Sequence, residues 1–225
     1  MVDYLLHVYR KGSVPFRTLS ALPEEEAFHI MQQLYIEGSV FWQRFKEPRS
    51  YLDFRKQLEQ SIKAAFKDKG GKPIDEHPIY LVLGSPKWMQ TVSDTVTLET
   101  TEMIRIPLSL VSPESVSFTY PDSMVSALMA MQKNPSYYEP EYHGKVFTLA
   151  EMKGIIEKKG LPGEGWETSM PRHYAHYIEA QVWDRRPLVE YYQGHALART
   201  VEVRSDPRRA EAEADGHNKS LEPTP

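Results

Sequence analysis

The chain contains no cysteine, which excludes disulfide frameworks, zinc ribbons and thiol catalysis together and fits a reducing compartment. Long apolar runs are missing too: no segment approaches the roughly 18 uninterrupted apolar residues of a membrane helix. The opening MVDYLLHVYRKG lacks the basic stretch and following apolar run of about 7 to 15 residues that mark a secretory leader. These readings lead to the expectation of a cytoplasmic protein with no membrane partner. Charge of one sign is scarce, at a formal net of −4, so no general footprint for nucleic acid is present, because phosphates are held mainly by clustered Lys and Arg. Gly70-Gly71-Lys72 lacks both the first glycine and the hydroxyl of a nucleotide phosphate loop, and no serine nucleophile elbow occurs. The eight histidines are scattered, the closest pair being His173 and His176, so no metal site is expected.

What the chain does contain is core material. Hydrophobic residues make up 40% of its 225 residues, with 13 Tyr, 8 Phe and 4 Trp, enough for one large folded domain. That domain is expected over residues 1–205, with a disordered, mildly acidic tail over 206–225. Leu22 to Gly38 reads as an amphipathic helix, with Ala27, Ile30, Met31, Leu34 and Tyr35 at helical spacing, Pro23 in the first turn and Gly38 at the exit. A second helix is expected from about Ser50, as its cap, to Lys69, with Leu52, Phe54, Leu58, Ile62, Ala65 and Phe66 inward. Strands are expected from Tyr4 to Tyr9, Pro78 to Leu83, Met103 to Leu110 and Ser115 to Tyr120, the third at an edge or bulge because of Pro107. Asp122 or Ser123 caps a helix over Met124 to Gln132, and Thr148 with Glu151 forms a capping box for a helix ending at Gly160. His176 to Asp184 alternates as a strand, Pro187 to Tyr192 as a short helix and Thr200 to Arg204 as a last strand. The fold class is α+β: a mixed, largely antiparallel sheet with flanking helices.

Several of these residues carry possible chemistry. Glu179 lies centrally in a strand that otherwise reads as buried, with Gln181 on the same face. A carboxylate there needs a partner, a cleft or a proton. It is either a solvated or salt-bridged structural Glu, or a catalytic or substrate-orienting acid. His7 stands in the apolar run from Tyr4 to Tyr9, where a lone His is ordinarily structural and becomes functional if Glu179 is its neighbour in space. Ser117 to Ser123 gathers hydroxyls and an Asp at a strand-to-helix turn, which serves as a helix cap, an anion site, or both.

Taken in order, these landmarks resemble the DarT family of DNA-modifying ADP-ribosyltransferase toxins and, more broadly, the ADP-ribosyltransferase fold. His7-Val8-Tyr9 stands where the family has His-x-Thr, Val116 to Asp122 is similar to its middle Phe-Thr-Asp segment, and Ile178 to Val182 is similar to its final Ala-Glu-x-Leu-Val strand. Tyr9 departs from the family's Thr, and the Arg that contacts NAD phosphates has no clear match among Arg44, Arg49 and Arg55. The resemblance implies an NAD-using enzyme that modifies a nucleic-acid or protein acceptor in a bacterial toxin or defence setting. Glu179 would be its catalytic residue, stabilising the oxocarbenium-like state of the ribose. His7 would hold the adenosine ribose, and Tyr9, Tyr80, Thr119, Tyr120 and Gln181 would complete the NAD site. Tyr80, Tyr120 or Trp183 would stack on nicotinamide. Two rivals stay open: a metal-dependent nuclease using Glu179-x-Gln181 with Asp75 or Asp122, and a non-catalytic interaction protein presenting the Tyr137 to His143 cluster.

Overall fold

Burial alternates along Tyr4–Arg10, with Leu5 and His7 inward and the residues between them half exposed, as a strand with one covered face requires. This is β1 in a computed structural model of the chain, which describes residues 2–37, 42–84, 101–161 and 177–194. The strands β2 (Ile79–Leu83), β3 (Thr101–Pro107), β4 (Val116–Thr119) and β5 (Glu179–Val182) join it in one sheet of order β3-β1-β2-β5-β4. Every pairing in that sheet is antiparallel. Helices α1 (Glu24–Leu34), α2 (Pro48–Asp68), α3 (Ser123–Gln132) and α4 (Leu149–Lys159) accompany it, so the class is α+β. The chain forms two compact units, Met1–Arg185, which holds the sheet and helices α1 to α4, and Arg186–Pro225. In the second, residues 186–194 are helical. The expected strand at 200–204 and tail at 206–225 lie outside the described residues. Among the described residues no helix is long and apolar enough to cross a membrane.

Element ends differ from the sequence expectation for local reasons. Helix α2 opens at Pro48, not at Ser50, because a proline in the first turn forfeits no intrahelical hydrogen bond and its fixed φ is already helical. Helix α1 closes at Leu34, with Tyr35 extended at φ −63° and ψ 126°, short of Gly38, and Pro23 is its cap. Strand β3 stops at Pro107 and passes into a 3-10 turn at Leu108–Leu110; as an edge strand it can end on a residue without an amide hydrogen. The Thr148–Glu151 capping box forms, each side chain accepting from the other residue's backbone N–H. Asp122 caps α3 by accepting from Met124 N and Val125 N.

Two apolar clusters hold the helices. Ala27, Met31, Phe45, Tyr51 and Leu52 join α1 to the first half of α2, while Ile62, Phe66 and Trp183 anchor its second half with Val146. Complete burial of side chains such as Leu52 and Phe66 contributes about 1.5–3 kcal/mol each. A Cβ on Gly71 would come within 2.5 Å of the Phe66 ring, so the turn after α2 has room for glycine alone.

Register sets what each face of the central strands carries. Leu81, Ala180 and Phe118 lie abreast on one face, whereas the other brings Tyr80, Gln181 and Ser117 into one row and Val82, Glu179 and Thr119 into the next. The second face is therefore largely polar although buried. Pairing between β1 and β2 covers only Leu5↔Leu83 and Leu6↔Val82. Beyond that point the ladder ends, and the site lies there.

Candidate active site

A cleft of about 420 Å³ opens where β1 and β2 part, within the range of roughly 300–1,000 Å³ that small-molecule sites occupy. Its polar lining includes His7, Tyr9, Arg44, Arg55, Tyr80 and Glu179, with Arg10 and Arg17 also on it, and its apolar lining includes Val14, Leu22, Ile30 and Leu34. Residues distant in sequence thus meet: His7 and Tyr9 from β1, Tyr80 from β2, Glu179 from β5, Arg55 from α2 and Arg44 from the turn before it.

Glu179 is 3% exposed and held through one oxygen. Its Oε1 accepts from Gln181 Nε2 at 3.0 Å and from Ser123 N at 3.4 Å, while Oε2 takes no hydrogen bond from any described residue. Behind it runs a buried chain of hydroxyl, amide and indole groups. Trp183 Nε1 donates to Ser117 Oγ at 2.9 Å, Ser117 Oγ donates to Gln181 Oε1 at 2.9 Å, and Gln181 Nε2 also donates to Thr119 Oγ1 at 3.1 Å. Every polar atom of the Gln181 amide is engaged, as a buried amide requires. Thr119 and Gln181 therefore do not line the cleft; they fix the carboxylate that does.

His7 sits differently from its expected role. Phe16 N–H donates to Nε2 at 2.9 Å, so Nε2 is the unprotonated nitrogen and Nδ1–H points to the Tyr80 carbonyl at 3.3 Å. Burial pushes its pKa down to about 4 against the weaker opposing pull of that carbonyl. The ring is stacked between Tyr9 at 5.6 Å and Phe16 at 4.6 Å. Neutral and bonded through both nitrogens to the backbone, His7 ties the split strands together; a ribose would have to displace the Phe16 amide to reach it. Phe16 has φ +58°, a conformation that L side chains adopt rarely, and its bond to His7 and burial hold it there.

Arg55 lies flat against Tyr80, with its guanidinium carbon 3.6 Å from the ring centroid, and donates to Tyr51 Oη at 3.0 Å. Burial opposes its charge, but the surrounding Tyr51, Tyr80, Glu179 and Glu59 outweigh burial and hold its pKa well above the usual arginine value. Burial likewise raises the Tyr80 phenol well above its ordinary range, so it stays protonated and donates to Glu59 Oε1 at 2.7 Å. One face of the Tyr80 ring is already covered by Arg55. Arg44 stands 5.0 Å from the Phe45 centroid and 5.9 Å from those of Trp42 and Tyr51, and no carboxylate among the described residues pairs with it. Arg49 is turned away, 69% exposed beside Glu24. Asp122 has its carboxyl pushed up to about 7, by burial first and then by Glu179, against the helix amides and Arg44.

No family model, curated protein or solved structure matches this chain.

Some expected members lie elsewhere. Tyr120 is fully buried, its ring 5.4 Å from Tyr142, because the chain turns away from the sheet after Thr119; it does not line the cleft. Trp183 is buried in the second apolar cluster with its indole N–H bound to Ser117, so it offers no face for stacking. Of the nuclease partners, the Asp75 carboxylate takes both Arg185 N and Arg185 Nε, whereas Asp122 stands near Glu179 with its Oδ1 held by two amides of α3; among the described residues no three metal-ligating side chains converge. The tyrosine cluster packs back onto the fold. His143 is 3% exposed, Tyr138 leans on it at 5.9 Å, and Lys159 covers Tyr142 at 4.2 Å. His173 and His176 lie outside the described residues.

Glu59 and Tyr177 were not singled out from sequence, and Arg55 was one of three arginines, with Arg44 and Arg49, between which the sequence did not choose. Tyr51, Arg55 and Glu59 do follow one another at spacing four, forming a polar stripe beside the apolar face of α2. That stripe was the available signal.

Proposed function

We propose that this chain is an ADP-ribosyltransferase-like enzyme that uses NAD to modify a macromolecule. The observation that carries the reading is Glu179: a buried carboxylate with one oxygen fixed by Gln181 and Ser123 and the other open, on the wall of a cleft that also holds Arg44 and Arg55. NAD, when bound, supplies an ADP-ribosyl group joined to a good leaving group, nicotinamide. The rest of the chemistry is the chain's own. Glu179 Oε2 would accept from a ribose hydroxyl and favour positive charge developing beside it, and because its partners are already in place this needs no reorganisation. Arg44 and Arg55 would hold phosphate oxygens through charge-assisted hydrogen bonds. The aromatic surfaces of Tyr9, Trp42 and Phe45, with the apolar wall, would receive the ring systems. The acceptor follows from the resemblance alone: nucleic acid first, protein second, in a bacterial toxin or defence setting.

Calorimetric titration with NAD tests the binding half. Saturable binding is expected, weakened about 10- to 100-fold by Arg44→Met or Arg55→Met, the equivalent of one lost charged hydrogen bond, and changed only slightly by Glu179→Gln. No saturable binding to the folded wild type, or arginine variants that bind as well, would sink the proposal.

A further inference from the structure

Behind the cleft wall, on α2, lies a second buried carboxylate that lines no part of the cleft. Glu59 is 1% exposed. Its Oε1 accepts from Ser20 Oγ at 2.6 Å and Tyr80 Oη at 2.7 Å and stands 3.5 Å from Arg55 Nε. Its Oε2 meets His77 Nδ1 at 2.6 Å. Four residues from the turn before α1, from α2, from the loop before β2 and from β2 itself thus converge on one side chain. A buried carboxylate is costly unless its lone pairs are filled, and here all its partners are donors. Two of them, Tyr80 and Arg55, form the wall facing Glu179.

We propose that Glu59 is a positioning residue: by accepting from the Tyr80 hydroxyl and pairing as an ion with the Arg55 guanidinium on its Nε side, it locks the stacked ring and guanidinium in the orientation they present to the cleft. The chemistry supports this division. Through Nε alone Glu59 engages one edge of the guanidinium, and Tyr51 takes Nη1, so Nη2 keeps its donors for an anionic ligand, among the described residues. Tyr80, with its hydroxyl bound, cannot rotate away from Arg55 without breaking the Glu59 bond. A site held within a fraction of an ångström acts on a ligand that a loose one merely admits. Catalytic consequences rest on the transferase reading; the locking does not.

The test measures both. Side-chain NMR of the full-length protein reads the Arg55 Nε–Hε proton, assigned by its loss in Arg55→Lys, and nicotinamide release from NAD reads kcat and KM. In the wild type the Hε signal is expected to be single and slow to exchange. In Glu59→Gln it is expected to broaden or exchange at least tenfold faster, with kcat lowered on the order of 100-fold and KM changed far less. Should Glu59→Gln fail to fold, Ser20→Ala and His77→Ala each remove one bond to the same carboxylate and are expected to shift both readouts the same way, by less. A folded Glu59→Gln protein with unchanged Arg55 Hε exchange overturns the proposal, even if its stability has fallen. Loss of Hε protection in a protein whose wild type releases no nicotinamide supports the positioning role and rejects the transferase reading instead.

Discussion

Mild acid should loosen this protein through His7. The folded state holds the ring neutral because Nε2 must accept from Phe16 N–H, and burial lowers its pKa from 6.5 to about 4. The unfolded chain takes up a proton near 6.5, so between these values the unfolded state binds more protons and stability rises with pH. His7 therefore contributes its full stabilisation above 6.5 and loses it as pH falls toward 4. The lowering corresponds to about 3 kcal/mol in total, of which about 2 kcal/mol is gone by pH 5. His7→Gln keeps an acceptor for Phe16 N–H but cannot titrate. Urea unfolding of both proteins at pH 7.5 and pH 5 cancels every other acid-sensitive group. The wild type is expected to lose about 2 kcal/mol more than His7→Gln over that interval. Parallel losses would refute the tautomer assignment and the structural role given to His7.

Two other perturbations follow from the polar face of the sheet. Asp122 has a folded pKa raised to about 7, so its protonated form stabilises the fold fully below about 4 and that stability drains away as pH rises through 7. Asp122→Asn keeps a good helix cap and is expected to melt a few degrees above wild type at pH 8 but not at pH 4; equal melting at both would contradict the shift. Gln181→Leu strands Ser117, Thr119 and Glu179 Oε1 without their amide partner, and urea unfolding should show a loss on the order of 1–3 kcal/mol. A loss below about 0.5 kcal/mol would mean that the buried chain is not holding Glu179.

The elements with strong periodicity or explicit caps were legible: α1, α2, the Thr148–Glu151 box and the strand bearing Glu179 with Gln181 on its face. Their ends were less so, since Pro48 and Pro107 act through the absence of one amide hydrogen, a difference that apolar spacing does not register. The meeting of His7, Tyr80 and Glu179 in one cleft is a matter of strand order, which no local pattern encodes. His7 shows the limit most clearly. Its place in an apolar strand was readable, but its two ring nitrogens are taken by Phe16 and Tyr80 through a loop whose positive φ at Phe16 nothing in the sequence announces. Tyr120 and Trp183 were expected to stack on nicotinamide and are core, because burial of a large ring depends on what packs above it. Glu59 was passed over since a Glu on a helix is ordinarily solvated; only the approach of Ser20, His77 and Tyr80 makes it an interior group.

The most direct test of the central claim is nicotinamide release from NAD by the wild type and by Glu179→Gln, with single- and double-stranded DNA and RNA supplied as acceptors and folding of both proteins checked by circular dichroism. The wild type is expected to release nicotinamide and a folded Glu179→Gln protein to release it at least 100-fold more slowly, the size of loss seen when a group stabilising developing charge is removed. Equal release by the two proteins, or none by a folded wild type with any acceptor, would contradict that claim.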